Sequence, residues 1–147
     1  MKRSCGVFVL LAVMPRVAVA GDAQAHFTVT AYVPPRASLE RIVHPAQVAV
    51  SMRDIARGYL DLAAVYRVSS NDPAGYVVRL APRTGLTRAI EVSGLATPVV
   101  MRDEVVEVAQ PAALRPQELS LNFRLLLDAA AVPGTYELPV HLVVRAL

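Results

Sequence analysis

The chain contains one cysteine, Cys5, and no tryptophan. Because Cys5 lies in an N-terminal segment that we expect to be removed, the mature protein has no disulfide, no thiol nucleophile and no thiolate metal ligand. It must therefore fold on its hydrophobic core alone. More than half of the residues are hydrophobic, 54%. About 125 residues can bury around two-thirds of the unfolded surface, which is enough for one ordinary domain.

Residues 1–25 have the features of a secretory signal peptide. Two basic residues precede an apolar run from Cys5 to Met14, and two small-x-small sites follow, ending at Ala20 and Ala25. The apolar run is about half as long as a membrane-spanning helix requires. The sequence therefore predicts export, cleavage after Ala20 or Ala25, and a mature chain with no membrane span.

Basic residues are not concentrated anywhere in the mature chain. Of the 15 basic residues three lie before Ala20, so cleavage there leaves 12 basic and 12 acidic residues. Cleavage after Ala25 also removes Asp22 and leaves 12 against 11. The remaining arginines are scattered singly among acidic residues, which removes the electrostatic basis for binding nucleic acid. We expect no nucleic-acid partner.

Turn signals built from proline and glycine recur about every ten residues, with short β-prone runs between them. This spacing is typical of a sandwich or barrel, so we predict one all-β sandwich domain over residues 26–147. The predicted strands are 27–33, 47–52, 59–69, 76–81, 88–93, 99–108 with a break near 102–103, 118–127 and 135–145.

The last two predicted strands have the clearest alternation of apolar and polar residues. One buried and one wetted face is typical of an antiparallel sheet. Pro139 cannot donate to a strand ladder, which indicates a free or irregular edge in the last strand. The predicted inward residues are Leu119, Leu121, Phe123, Leu125 and Leu127, and then Tyr136, Leu138, Val140, Leu142 and Val144.

Residues 51–66 fit both a helix and a strand. Ser51 and Asp54 have the spacing of a helix capping box, and apolar residues recur at helical intervals. Gly58 is unfavourable inside a helix, whereas alternation from Leu60 onward fits a strand. We favour a short turn near 52–57 followed by a strand.

No catalytic or metal-binding constellation is visible in the sequence. His26, His44 and His141 have no metal-ligand spacing to another histidine, cysteine or carboxylate. The acidic cluster at 103–107 lacks the loop pattern of a calcium site. There is also no glycine-rich loop that could hold a phosphate. We therefore predict a protein that is not an enzyme and that has no metal and no cofactor.

The mature N-terminus begins with another alternating run, HFTVTAYV at residues 26–33, which is followed by Pro34-Pro35. The alternation predicts a strand with four residues on its apolar face. A terminal strand of this kind can pair within its own sheet or complete the sheet of another chain. Those four residues are Phe27, Val29, Ala31 and Val33.

Three stretches together resemble a known family: FTVTAYV, the strand–turn–strand VYRVSSNDPAGYVVRL at 65–80, and the C-terminal PGTYELPVHLVVRAL at 133–147. The arrangement resembles secreted pilin-like subunits of chaperone–usher systems, particularly the archaic branch that includes the spore coat protein U domain. The resemblance implies an immunoglobulin-like sandwich that lacks its last strand. In that family a periplasmic chaperone fills the resulting groove first, and the N-terminal strand of a neighbouring subunit fills it later.

The resemblance implies a non-catalytic subunit of a pilus-, fimbria- or coat-like assembly, exported to the periplasm and then to the bacterial surface, with a role in cell adhesion. Residues 26–33 would be the donor strand, inserting Phe27, Val29, Ala31 and Val33. The acceptor groove would be lined by Tyr136, Leu138, Val140, Leu142 and Val144. Tyr136 would also act as the tyrosine corner of an immunoglobulin-like fold. The alternative is a self-complete periplasmic or surface sandwich that binds carbohydrate or an envelope protein.

Overall fold

The computed structural model describes residues 28–83 and 85–147. The predicted signal peptide, His26 and Phe27 lie outside the described residues. The chain divides into two compact units, Met1–Tyr32 and Val33–Leu147. In the first unit, the described residues 28–32 are exposed and belong to no helix or strand. The strand predicted over 27–33 is therefore not formed by residues 28–33 within this single chain.

The second unit is built from ten strands and one short helix among the described residues. Their bounds are β1 Ala37–Val43, β2 Gln47–Val50, α1 Met52–Arg57, β3 Tyr59–Ser70, β4 Tyr76–Pro82, β5 Thr87–Ser93, β6 Val99–Met101, β7 Val106–Gln110, β8 Gln117–Leu127, β9 Gly134–Glu137 and β10 Val140–Ala146. Within the described part of the chain, no helix is long and apolar enough to cross a bilayer.

The strands form antiparallel sheets. One sheet has the order β1-β3-β8-β5-β6, a second has the order β10-β4-β7, and β2 pairs with β9. The order β1-β3-β8-β5 corresponds to strands A-B-E-D of a constant-type immunoglobulin sandwich, and β4-β10 corresponds to C-F. No strand among the described residues lies beside β10 where strand G of that fold would lie. The predicted all-β sandwich is confirmed.

Alternating side chains of the two main sheets make the core. On β8, the five residues predicted to face inward are all buried, and the residues that lie between them are exposed or half-buried. On β3, Ala64, Tyr66 and Val68 are buried against them. The largest fully buried side chains are Tyr66, Tyr76 and Phe123. Hydrophobic burial of this kind supplies most of the favourable free energy of folding.

The ambiguous segment forms a short α-helix, Met52–Arg57, where a turn was favoured from the sequence, and then the strand that was favoured. Ser51 caps α1 through a full capping box with Asp54, because each side chain bonds the backbone N–H of the other. Gly58 ends the helix in the left-handed region at φ 77°, where glycine has no steric penalty. β3 then begins at Tyr59.

Two strand predictions need correction. β1 was not predicted, because the third of its inward positions, after Ala37 and Leu39, is occupied by the charged Arg41. Its pairing register with β3 also shifts after Arg41. The predicted single strand at 135–145 is two strands, β9 and β10, separated by Leu138 and Pro139. Pro139 lacks the N–H that a continuous ladder requires, so the chain leaves the β2 partnership there and joins β4.

Candidate strand-binding groove

A groove runs between β1 and β10 in the second unit. It consists of two adjoining hollows of about 510 Å³ and 190 Å³ that share Arg41, His141 and Leu142. We call it the β1–β10 groove. Its wider part is lined by Ala37, Leu39, Arg41, His141, Leu142, Val143 and Val144. Its narrower part adds His44, Ala46, Tyr66, Arg83, Glu137, Leu138 and Val140.

The groove lies between two sheet edges. Among the described residues β10 pairs with β4 only and β1 pairs with β3 only. The edge strand of a sheet presents a row of backbone N–H and C=O groups with no ladder partner. The groove is therefore lined on both sides by backbone groups that have no ladder partner among the described residues.

The alternation of hydrogen bonds between β10 and β4 shows which residues of β10 have backbone N–H and C=O groups free of β4. The N–H of Arg83 donates to the carbonyl of Pro139 at 2.8 Å, so residues 139 and 83 form a hydrogen-bonded pair. Bonded and non-bonded pairs alternate in an antiparallel ladder. The register then directs the backbone groups of Val140, Leu142 and Val144 away from β4 and toward the groove.

The same argument applies to β1. The N–H of Asn71 donates to the carbonyl of Arg36 at 3.1 Å, just beyond the first registered pair of β1 and β3. Alternation along the ladder turns the backbone groups of Ala37 and Leu39 toward the groove. Both edges thus offer backbone groups at residues whose side chains face the sandwich interior.

The groove floor is apolar along most of its length. Leu138, Val140 and Leu142 are 5%, 4% and 6% exposed, and Val144 is half-buried. Four of the five acceptor residues expected from the sequence therefore line the groove. Burying apolar side chains on such a floor contributes roughly 25 cal/mol per Å² of apolar surface.

Tyr136 is the exception among the expected acceptor residues. It lies on β9, opposite Val48 of β2, and does not line either hollow. Its hydroxyl donates to the carbonyl of Val132 at 2.7 Å. A tyrosine hydroxyl bonded to backbone a few residues upstream is the geometry of a tyrosine corner.

The narrow end of the groove is polar. His44 Nδ1 lies 2.9 Å from the hydroxyl of Tyr66, and Arg83 pairs with Glu137. Burial lowers the pKa of His44, and the nearby Arg41 lowers it further. Burial raises the pKa of the Tyr66 hydroxyl. Both rings are therefore neutral near pH 7, and the charge at this end comes from the guanidinium and carboxylate groups.

Sequence reasoning missed the β1 side of the groove. Ala37, Leu39 and Arg41 line it because β1 is an edge strand whose inward face is only half covered. The alternation of Ser38 and Glu40 with Ala37 and Leu39 was a usable signal, but the inward arginine obscured it.

The described part of the expected donor segment is strongly exposed. Val29 is 89% exposed, Tyr32 82% and Val33 69%. Ala31 is exposed as well, and Phe27 lies outside the described residues. Large apolar side chains are thus exposed at three of the six positions 28–33.

A separate hollow, of about 660 Å³, lies outside the β1–β10 groove, on the outer face of the five-stranded sheet. Its polar lining includes Asp61, Glu91 and Arg124, which are neighbours across β3, β8 and β5. Arg124 Nε donates to Asp61 at 2.8 Å, and this bond raises the pKa of the guanidinium. Such a cross-strand row of alternating charges is a usual feature of a solvated sheet face.

Within residues 28–83 and 85–147, no group of three or more histidine, cysteine, aspartate or glutamate side chains is arranged to hold a metal ion. Comparison of the chain with protein-family models, with curated proteins and with solved structures found no match. The functional argument therefore depends on the geometry of the groove and on the residue pattern of the N-terminal segment.

Proposed function

We propose that this chain is an exported, non-catalytic structural subunit whose sandwich is completed by a β-strand from another polypeptide. The observation that carries the proposal is the β1–β10 groove, where two open sheet edges flank an apolar floor. Strand addition to such an edge obtains affinity from backbone hydrogen bonds and specificity from alternate side chains that enter pockets.

The N-terminal segment has the length and pattern that the groove requires. Residues 27–33 and β10 are each seven residues long. Groove-facing backbone on Val140, Leu142 and Val144 recurs every second residue, and so do the apolar residues Val29 and Val33 around Ala31. In the proposed assembly this segment of one subunit fills the groove of the next, after a periplasmic chaperone strand has held the groove during export.

Filling the groove requires β1 to move. Some Cα atoms of β1 and β10 lie within 8 Å of each other. Two strands that flank an inserted third stand roughly 10 Å apart, which is twice the spacing of paired strands. β1 is held on one side only, by β3, so it is the element that we expect to shift outward.

The test begins with a chain that lacks residues 26–33. We expect it to be monomeric by light scattering, with rapid hydrogen exchange at Val140, Leu142 and Val144. A peptide of sequence FTVTAYV should then bind one to one and slow exchange at those three amides. Assembly by the deleted chain at the same level as the full chain would contradict the proposal.

Two matched peptides separate strand insertion from nonspecific adhesion. A peptide with Val29→Ser and Val33→Ser loses two buried apolar side chains, each contributing about 1.5 kcal/mol. We expect about a hundredfold weaker binding, since each 1.4 kcal/mol is tenfold in affinity. A peptide with Thr28→Ser and Thr30→Ser changes only the outward face and should bind like the original.

A second candidate function is a self-complete binding module for carbohydrate or an envelope protein. The hollow that includes Asp61, Asn122 and Arg124 on the outer sheet face favours it, because carboxylate, amide and guanidinium groups converge there. Substitution Asn122→Ala should then abolish ligand capture on a glycan array or envelope-protein blot without changing oligomeric state. Deletion of residues 26–33 would have no effect on such binding.

A further inference from the structure

We propose that Asn71 and the Pro34-Pro35 pair form a clamp that prevents the N-terminal segment from filling its own groove, so that the occupant comes from a second copy of this chain. The inference rests on the proposed function. It adds which chain supplies the strand and what keeps a chain from using its own. It concerns the three residues that precede β1 and the side chain that holds them.

Asn71 makes three hydrogen bonds to residues 34–36. The N–H of Arg36 donates to Asn71 Oδ1 at 2.6 Å, and the N–H of Asn71 donates to the carbonyl of Arg36 at 3.1 Å. Asn71 Nδ2 donates to the carbonyl of Pro34 at 3.0 Å. Because Asn71 directly follows β3, these bonds hold residues 34–36 on the edge of β1 that faces β3.

The groove lies along the opposite edge of β1. For the chain to fill its own groove, residues 27–33 must fold back beside β1 as a hairpin. The apolar residues of the segment face inward when they lie opposite Ala37 and Leu39, the inward residues of β1, and the register that pairs the whole segment places Val33 opposite Ala37. That register leaves a three-residue loop, residues 34–36.

The loop sequence opposes that hairpin. Three-residue hairpin loops are typically a type I turn followed by a residue in the left-handed region. Pro35 disfavours the helical conformation that Pro34 would need at the first turn position. Arg36 would need positive φ, and no residue other than glycine has positive φ among the described residues. The hairpin also breaks the bonds from Asn71 to Pro34 and Arg36.

The experiment compares three full-length chains, each expressed with its own N-terminal segment and with the N-terminus of the product determined by mass spectrometry. The release variant carries Pro35→Asn, Arg36→Gly and Asn71→Ala. The matched control carries Pro116→Asn and Asp128→Ala, which change an exposed loop proline and remove a similar turn bond to the N–H of Ala130. Light scattering gives oligomeric state, and hydrogen exchange gives occupancy of the groove at Leu142.

We expect the unchanged chain and the control to form concentration-dependent oligomers. The release variant should lose those oligomers and remain monomeric, with the Leu142 amide as protected as in the oligomer. Oligomers of unchanged size in a folded release variant would overturn the clamp while leaving strand exchange intact. An unchanged chain that is monomeric with a protected Leu142 amide would also overturn the clamp, because the chain would then fill its own groove.

A third result overturns the proposed function and the clamp together: a monomeric unchanged chain with a rapidly exchanging Leu142 amide. If the release variant does not fold, the single substitution Asn71→Ala provides the test, since it removes two of the three bonds and leaves the loop intact. It should give a partial loss of oligomers, and no loss at any concentration would overturn the clamp.

Discussion

Substitution of Gly75 by alanine should destabilise the protein much more than the same substitution at Gly85. Both glycines have nearly the same positive φ, +117° and +114°. A Cβ on Gly75 would lie 2.2 Å from the carbonyl oxygen of Gln110, whereas a Cβ on Gly85 would have nothing within 4 Å. The pair therefore separates backbone strain from steric overlap.

The magnitude follows from the geometry. A non-glycine residue held in such a sparsely populated conformation costs about 1–3 kcal/mol, which is common to both variants. Ordinary contact begins at 3.4 Å, so at Gly75 the turn or the Gln110 carbonyl must move by about 1.2 Å. Gln110 resists because it is buried and pairs with Tyr76. Overpacking of this kind adds about 1–3 kcal/mol.

Urea denaturation followed by circular dichroism measures both free energies of unfolding. We expect Gly75→Ala to lose about 1–3 kcal/mol more than Gly85→Ala, with similar m-values. Equal losses, within about 0.5 kcal/mol, would refute the steric argument and show that the turn before β4 relaxes freely.

Four further predictions concern individual side chains. Ser51→Ala should lower the free energy of unfolding by about 1 kcal/mol, because it removes the cap of α1; urea denaturation checks this. Hydrogen bonds from Ser51 lower the pKa of Asp54 to about 2 from its ordinary 3.8. The ionised Asp54 therefore adds to the free energy of unfolding above pH 3.8, and this contribution is lost as the pH falls toward 2. Asp54→Asn should remove that pH dependence from acid-denaturation curves. Burial lowers the pKa of His44 below 6.5, so the unfolded state binds more protons and stability should fall as the pH drops below 6.5, less so in His44→Gln. Tyr136→Phe loses the hydrogen bond to the carbonyl of Val132 and should lower the free energy of unfolding by about 1 kcal/mol, which thermal unfolding measures.

The sandwich could be predicted because its central strands obey a simple periodicity. β8 lies between β3 and β5, so one of its faces meets the core along the full strand and every second residue is apolar. Proline and glycine mark the turns through their own backbone preferences, which act locally and are visible in any sequence. The same local rule placed the start of β3 correctly after Gly58.

The β1–β10 groove could be predicted only on its β10 side. The alternation of β10 is that of a strand with one buried face, and its inward residues are identified without knowledge of any neighbour. β1 could not be found in this way, because Arg41 occupies an inward position that the open groove leaves hydrated. The inward position of Arg41 is not closed by the chain itself and carries no apolar requirement, so periodicity fails on the β1 side of the groove.

In the proposed assembly, Arg41 also bears on which strands the groove would accept. Inward-pointing charges and prolines are devices by which edge strands avoid uncontrolled pairing. Among the described residues Arg41 forms no ion pair, and it lines both hollows. A strand that enters the groove removes water from this guanidinium and must offer it an oxygen acceptor, since an unpaired buried charge is costly. The threonines of residues 26–33 lie on the outward face, so this acceptor has to be a backbone carbonyl or a polar inward side chain of the inserted strand. In the proposed assembly, Arg41 would therefore limit which inward side chains the groove takes at this position.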